Sequence, residues 1–200
     1  MVFQVSEESA EKLGLQKVDF VTFWVSNAKC CASYFAHLYR FQPVAYKGLE
    51  TGSREVSSWV LALNGIRIVF TSPYEYGSGD VWSSVSTRGD MVRDVAFVVD
   101  DLDACMKKMR SANVTIVKDI WQEGDQDGIV RFGRINITGT LTHTIDRSRY
   151  GGIFLPNFRA PLEEWKLAAT GPEIPLLVID HFVVVCNEDE TIKITKDYLD

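Results

Sequence analysis

The stretch VDFVTFWVSN, residues 18–27, recurs 74 positions later as VRDVAFVVDD, residues 92–101. Both stretches contain the β-branched and aromatic residues that are typical of strands, and both end in residue types that cap helices. A third stretch, IDHFVVVCNE at residues 179–188, aligns with the first two. The third residue of the alignment is Phe20, Asp94 and His181 in turn. The repetition predicts three copies of one strand-then-helix unit.

The segments that follow the first two copies also match each other. In the first half, the patterns predict a helix with Ala28, Cys31, Phe35 and Leu38 on one face, a short strand, and a hairpin turning at Asn64-Gly65. The turn-rich residues 72–90 are expected to contain only one helical turn, at 81–85. The second half repeats this order, with an apolar helix face made of Leu102, Cys105, Met106 and Met109.

These patterns predict an α+β fold of paired β-α-β-β-β modules, whose strands form one curved mixed sheet around a shared cavity. We expect the first domain at residues 14–157 and a proline- and glycine-containing connection at 158–176, held by Phe154, Phe158 and Trp165. A second domain of the same kind is expected to begin at residues 177–200, where only its first strand and helix are present.

Composition excludes several classes of protein. The net charge of −6, without a basic stripe, argues against a partner that is nucleic acid or an anionic membrane. No apolar run has the roughly 18 residues of a membrane span, and the polar amino terminus does not resemble a signal peptide. The cysteines, which have no CxxC spacing, are expected to be buried reduced thiols, as in a cytoplasmic protein: Cys30, Cys31, Cys105 and Cys186.

Several longer motifs resemble one known family. DFVTFWVSNA, GLETGSREV, RDVAFVVDDLD, LTHTIDR, YGGIFLPNFRAP and IDHFVVVCNEDE together resemble the 4-hydroxyphenylpyruvate dioxygenase family, which belongs to the vicinal oxygen chelate superfamily. The resemblance extends from about residue 18 to residue 200. It implies a two-domain, homodimeric enzyme that converts 4-hydroxyphenylpyruvate, a 2-oxo acid, and O2 into homogentisate and CO2 in tyrosine catabolism.

The resemblance also implies a mononuclear Fe(II) bound by two histidines and one glutamate in the carboxy-terminal domain. His181 in VIDHFVV is the one residue of this sequence that matches a ligand motif. In a regular strand, the adjacent Asp180 would point to the opposite face. Because a facial triad needs all three ligands, we expect the 200-residue chain to lack bound iron and dioxygenase activity, and the remaining ligands to lie beyond Asp200.

The first domain offers weaker candidates. Phe20 cannot bind a metal, so Asp94 and, more loosely, His143 are the two remaining positions that correspond to ligands. We expect these two to form a hydrogen-bonded pair or to be solvated separately, and the alternative is a metal or ligand site. His37 is expected at the surface near a helix end, where a cation suits the helix dipole.

Two further motifs favour structural roles. GLETGSREV, with Glu50, Arg54 and Glu55, indicates a tight turn and a structural or subunit contact. The acidic EGDQDG segment lacks the ligand count of a calcium loop and is expected to be a solvated hairpin loop.

Two alternatives to the dioxygenase remain open from the sequence. One is a 4-hydroxymandelate synthase-like oxygenase, which shares the fold, iron site and substrate. The other is a non-catalytic paralogue or truncated product that acts as an interaction module. A lyase or antibiotic-binding protein of the superfamily would need ligands in the first domain, and Phe20 argues against this.

Overall fold

The structure, a computed structural model, describes residues 13–137, 140–161 and 174–182. The first half contains, in order, β1 (Leu15–Trp24), α1 (Ala28–Tyr39), β2 (Gln42–Lys47), β3 (Val56–Leu63) and β4 (Ile66–Pro73). After α2 (Gly79–Arg88), the second half contains β5 (Met91–Val99), α3 (Leu102–Ser111), β6 (Thr115–Asp125), β7 (Gly128–Ile137) and β8 (Thr140–Tyr150). The two predicted β-α-β-β-β modules and the α+β fold class are confirmed.

The eight strands in the described part of the chain form one mixed sheet in the order β2-β3-β4-β1-β5-β8-β7-β6. β1 is parallel to β4 and β5 is parallel to β8, so the two halves have the same internal pairing. The halves meet where β1 and β5 run antiparallel, and Val21 is there paired with Val95. These two valines are equivalents under the 74-residue repeat, so a pseudo-two-fold axis passes between them.

Helix α1 packs on the sheet through small residues. Its N-cap is Asn27, whose side chain accepts a hydrogen bond from the main-chain N–H of Cys30 (3.0 Å). The buried residues of the helix are Ala28, Ala32 and Ala36. The predicted face is therefore only partly right: Cys31 and Phe35 are half-buried, and Leu38 is 52% exposed. Because the alanine row faces the sheet, the larger side chains of α1 lie at the sides of the helix and not beneath it.

The prediction that the cysteines are buried holds for one of the three that the structure describes. Cys105 is buried in the core under α3, Cys31 is half-buried, and Cys30 is exposed on α1. The prediction for Cys30 was wrong because the alanine face, and not the cysteine, faces the sheet. Cys186 lies outside the described residues.

Helix α3 forms as predicted. Asp101 is its N-cap and accepts a hydrogen bond from the main-chain N–H of Ala104 (3.0 Å). The predicted apolar face, Leu102, Cys105, Met106 and Met109, is buried. These side chains pack against Ile135 and Val99 of the sheet.

Two connections differ from the prediction. Residues 79–88 form a whole helix, α2, where a single turn was expected. The sequence indicated a single turn because the apolar residues Val81, Trp82 and Val85 span only five positions, and none of the ten residues of α2 is fully buried. The acidic EGDQDG segment, expected to be a hairpin loop, is mostly strand: β6 continues to Asp125 and β7 begins at Gly128, which leaves a two-residue turn.

The segment after β8 folds back across the sheet. Phe154 is buried and packs edge-on against Phe20 of β1 (ring centroids 4.9 Å apart), and Phe158 packs against Phe154 (5.0 Å). The main chain of Arg159 exchanges two hydrogen bonds with Tyr46, which lies in the edge strand β2. The expected anchoring by Phe154 and Phe158 is confirmed, and Trp165 lies outside the described residues.

Residues 174–182 are irregular. The strand predicted from residue 179 is therefore not formed at 179–182, and residues 183–200 lie outside the described part of the chain. In the described ranges, no helix has both the length and the apolar character that crossing a membrane requires.

Candidate functional site

Phe20 occupies the first position that the repeat relates to a metal ligand. Its ring is buried in a cluster with Val60, Val69 and Phe132, together with the returning Phe154. Core packing therefore occupies this position.

Asp94 and His143 lie together on the second half of the sheet. The parallel pairing of β5 and β8 places His143 beside Ala96, two residues from Asp94, and alternation puts both side chains on the same face. The imidazole Nδ1 contacts the Oδ2 of Asp94, and both side chains are buried. Of the three arrangements considered for this pair, the hydrogen-bonded pair is the one observed.

Arg134 completes this cluster. Its Nε donates a hydrogen bond to the Nε2 of His143 (2.6 Å), across a directly paired position of β7 and β8. Because an arginine N–H can only donate, Nε2 accepts this bond, and Nδ1 is the nitrogen that donates to Asp94. Both ring nitrogens are occupied, and the histidine has no free lone pair for a metal ion.

Aromatic rings and cations surround the histidine. Trp121 stacks on Phe132 (centroids 5.1 Å apart) and presents its edge to the His143 ring (5.7 Å). The Lys118 ammonium lies 4.2 Å from the centre of the Trp121 ring, and the Arg134 guanidinium carbon lies 5.4 Å from it. Such contacts hold the cations over the ring faces. Among the described residues, the second carboxylate oxygen of Asp94, Oδ1, is buried without a hydrogen-bond partner.

His181 lies apart from this cluster and is exposed. Its side chain is 71% exposed, and its Nδ1 lies 3.0 Å from the Oδ1 of Asp180. The expectation that Asp180 points away from His181 was wrong, because alternation applies only to a regular strand and this segment is irregular. The hydrogen bond to His181 lowers the pKa of the Asp180 carboxyl. Within the described parts of the chain, no three His, Cys, Asp or Glu side chains are placed to hold a metal ion.

The remaining candidates have structural surroundings. His37 is exposed in the last turn of α1, and its main-chain carbonyl accepts a hydrogen bond from Arg40. In GLETGSREV, residues 49–51 form a short 3-10 turn, and Glu50 accepts a hydrogen bond from the hydroxyl of Tyr46 (2.9 Å). Burial and the neighbouring Tyr74 and Glu50 raise the pKa of Tyr46.

The acidic hairpin is tied to the returning segment. Asp125 accepts hydrogen bonds from the main-chain N–H groups of Asp127 and Asn157 and from the hydroxyl of Tyr150. Burial opposes ionisation of Asp125, but these three donors outweigh it and lower the pKa of the carboxyl. The segment is a tight turn, and the Asp125 carboxylate accepts its hydrogen bonds from groups of the protein.

The sequence did not reveal the roles of Arg134 and Trp121. Their contacts depend on the register between β6, β7 and β8, which contains bulges between Ile116 and Trp121. Strict alternation on β7 could have placed Arg134 on the same face as Phe132.

Comparisons with known proteins agree with the motifs. No family model matches the chain. The 4-hydroxyphenylpyruvate dioxygenase of Xenopus tropicalis is 38% identical over 180 residues, covering 89% of this chain and 46% of the relative. The enzymes of the same name from Danio rerio and Neurospora crassa are 37% and 36% identical, covering 89% and 88% of this chain and 45% and 47% of the relatives. The chain thus spans about half the length of these curated relatives.

Solved structures confirm the vicinal oxygen chelate fold. A methylmalonyl-CoA epimerase from Mycobacterium tuberculosis has a TM-score of 0.54 at 19% identity, covering 66% of this chain and 88% of that one. A mutant of 4-hydroxymandelate synthase from Streptomyces coelicolor has a TM-score of 0.50 at 14% identity, covering 69% of this chain and 65% of that one. At these identities the likeness concerns the fold alone.

Proposed function

We propose that this chain, which resembles 4-hydroxyphenylpyruvate dioxygenases over most of its length, is the amino-terminal part of such an enzyme. The reaction would convert 4-hydroxyphenylpyruvate and O2 into homogentisate and CO2. The observation that carries the proposal is the 38% identity over 180 residues to the Xenopus tropicalis enzyme. The proposed division is a first domain at residues 14–157, a connection at 158–176 and the start of the catalytic domain at 177–200.

The described residues do not fit a complete iron site. A 2-His-1-carboxylate site needs two imidazoles and one carboxylate on one side of the metal. Among the residues that the structure describes, His181 has only Asp180 beside it, and both ring nitrogens of His143 are engaged. His181 is proposed as one ligand, and the others would come from the part of the family sequence that this chain does not span.

The first domain is proposed to act as a scaffold. Its position equivalent to His181 is Phe20, which is packed into the core. In its Asp94–His143 pair, the remaining ring nitrogen of His143 accepts a hydrogen bond from Arg134. This domain would therefore contribute stability and the placement of the following segment, and not a second metal.

Product analysis of the family-length protein tests the proposal. Incubated with 4-hydroxyphenylpyruvate, Fe(II) and O2, it should form homogentisate and CO2 in equal amounts, measured by chromatography with mass spectrometry. Formation of 4-hydroxymandelate would instead identify the synthase alternative. If the protein consumes no O2 and forms neither homogentisate nor 4-hydroxymandelate, it is not an oxygenase of this kind, and the interaction module is favoured.

Substitution of His181 tests the ligand assignment. In the family-length protein, His181→Ala should abolish stoichiometric iron, measured by elemental analysis after desalting. His37→Ala is the matched control, because His37 is also an exposed histidine but lies on α1. Retention of one iron per chain in His181→Ala would refute the assignment, and one tightly bound iron in the 200-residue chain would refute the single-ligand interpretation.

The same proposal includes a homodimeric state and a cytoplasmic location. A homodimer would be seen as twice the chain mass in light scattering. A cytoplasmic location would be seen by fractionation of the cells that produce the protein.

A further inference from the structure

The tip of the β3–β4 hairpin contacts the segment that leads to His181. The side-chain amide of Asn64 donates a hydrogen bond to the main-chain carbonyl of Leu176 (2.7 Å). The two residues are 112 positions apart, so the bond joins the first half of the fold to the segment after the connection. Asn64 has a positive φ of 51°, a conformation that asparagine tolerates better than most residues.

Gly65 adds a second contact at the same tip. A Cβ atom at this position would lie 3.0 Å from the main-chain oxygen of Leu177, closer than side chains normally approach. The missing side chain therefore lets the segment lie directly against the turn. Two successive carbonyl groups, those of Leu176 and Leu177, meet two successive residues of the turn.

Ile179 provides the apolar part of the contact. It is half-buried and packs against the core cluster under α1, which includes Leu61 and Ile66 next to the hairpin turn. Residues 175–178 and 180–182 are exposed, so Ile179 is the side chain that anchors this stretch. The contact combines one side-chain hydrogen bond, one close backbone approach and one apolar anchor.

We propose that the hairpin tip, Asn64 and Gly65, is a docking site for residues 176–179, and that Asn64 is a positioning residue for His181. An extended chain spans at most about 3.5 Å per residue, so Ile179 confines the Cα of His181 to within about 7 Å of a fixed point. Docking therefore limits the positions that His181 can take, even before any other group contacts its side chain. The catalytic meaning of His181 rests on the proposed function, but the docking itself does not.

Limited proteolysis of the 200-residue chain tests the docking. Asn64→Gly keeps the positive φ and removes the amide donor. Asn113→Gly is the matched control, since Asn113 has a φ of 58° in an exposed turn after α3. Chymotrypsin should cleave after Leu176, Leu177 or Phe182 roughly 2- to 10-fold faster in Asn64→Gly, the effect of losing one hydrogen bond, and at the unchanged rate in the control.

Gly65→Ala supplies an independent variant. Its new Cβ would push the Leu177 carbonyl away, so cleavage at the same bonds should accelerate while the midpoint of thermal unfolding stays within about 2 °C of that of the control, as expected for a local change. If both hairpin variants are cleaved at the rate of the unaltered chain, the docking site is refuted.

Kinetics of the family-length enzyme test the positioning role. Asn64→Gly should lower kcat several-fold and leave KM unchanged, whereas a loss of folded protein would appear in the unfolding midpoint. An unchanged kcat together with accelerated cleavage would overturn the positioning role. If the unaltered enzyme itself shows no oxygenase activity, the proposed function fails, and the proteolysis result still decides the docking.

Discussion

Asp19 on β1 is bound by Arg147 on β8, which lies 128 positions away (Nε to Oδ2 2.6 Å). The carboxylate of Asp19 is 1% exposed, and its other oxygen accepts a hydrogen bond from Arg67 on β4 (2.8 Å). Arg147 also donates a hydrogen bond to the main-chain carbonyl of Phe154. The buried carboxylate of Asp19 therefore connects β1 with β4 and β8, and Arg147 extends this connection to the segment after β8, at Phe154.

Replacement of Asp19 should be among the most destabilising polar substitutions. Asp19→Ala removes the carboxylate that neutralises Arg147, whose side chain is only 19% exposed, whereas the 43% exposed Arg67 can turn to solvent, so we expect a loss of about 3 kcal/mol of unfolding free energy. Urea denaturation would measure the loss. Arg110→Ala serves as the control, because its ion pair with Asp119 is exposed and should contribute less than about 1 kcal/mol. Equal losses in the two variants would contradict this account.

Gly133 on β7 should not tolerate a methyl group. A Cβ there would lie 2.9 Å from both Met106 Cγ and Thr144 Oγ1, between α3 and the sheet. We expect Gly133→Ala to reduce the unfolding free energy by about 1–3 kcal/mol through overpacking. Gly151→Ala is the control, since its nearest neighbour would be at 3.8 Å. A stability of Gly133→Ala equal to that of the control would show that α3 can move aside.

A double-mutant cycle should show strong coupling between Asp94 and His143. Either single alanine variant leaves a buried polar partner, so we expect a coupling energy of about 1–3 kcal/mol from urea denaturation. The same cycle on Asp180 and His181 is the control, because that aspartate–histidine pair is exposed and should show much weaker coupling. Similar coupling in both pairs would refute the role assigned to burial.

Stability should fall at alkaline pH. Burial raises the pKa of the Cys105 thiol to about 11, above the ordinary value near 8.5. The unfolded chain thus loses this proton first, so the contribution is complete below about pH 8.5 and disappears as pH rises toward 11. Burial, followed by the hydrogen bond to Asp125, raises the pKa of Tyr150 to about 12, which extends the decline.

Variants without these groups isolate the effect. Denaturation at several pH values should give a shallower decline for Cys105→Ala between about pH 8.5 and 11, and for Tyr150→Phe between about pH 10 and 12. Slopes identical to that of the unaltered chain would exclude both groups as the cause.

Local signals in the sequence were sufficient to predict turns and helix ends, where a residue type favours one backbone conformation. Asn64-Gly65 predicted the hairpin and Asp101 predicted the start of α3. The repeat identified Asp94 and His143 as corresponding positions but left open whether they would pair, and the structure shows that they do. What the sequence could not supply was register. Arg134 reaches His143 only because β7 and β8 pair at those positions, and no local pattern encodes that pairing.

Helix packing was predicted incompletely for a related reason. The periodicity on α1 correctly indicated a helix, but the sheet selected the alanine row and left Leu38 outside. Large apolar residues mark an amphipathic helix, whereas the closeness of two packed elements is set by the smallest side chains between them. The contact of Asn64 with Leu176 likewise depends on tertiary structure.

The axis between Val21 and Val95 has an evolutionary consequence. The same eight-stranded sheet is geometrically accessible to two identical chains of one module each, with β1 of one copy against β1 of the other. Duplication and fusion of such a gene would replace a concentration-dependent association with an intramolecular one. Each half would then be free to diverge, which accounts for a sheet with packed phenylalanine on one side of the axis and a polar Asp94–His143 pair on the other.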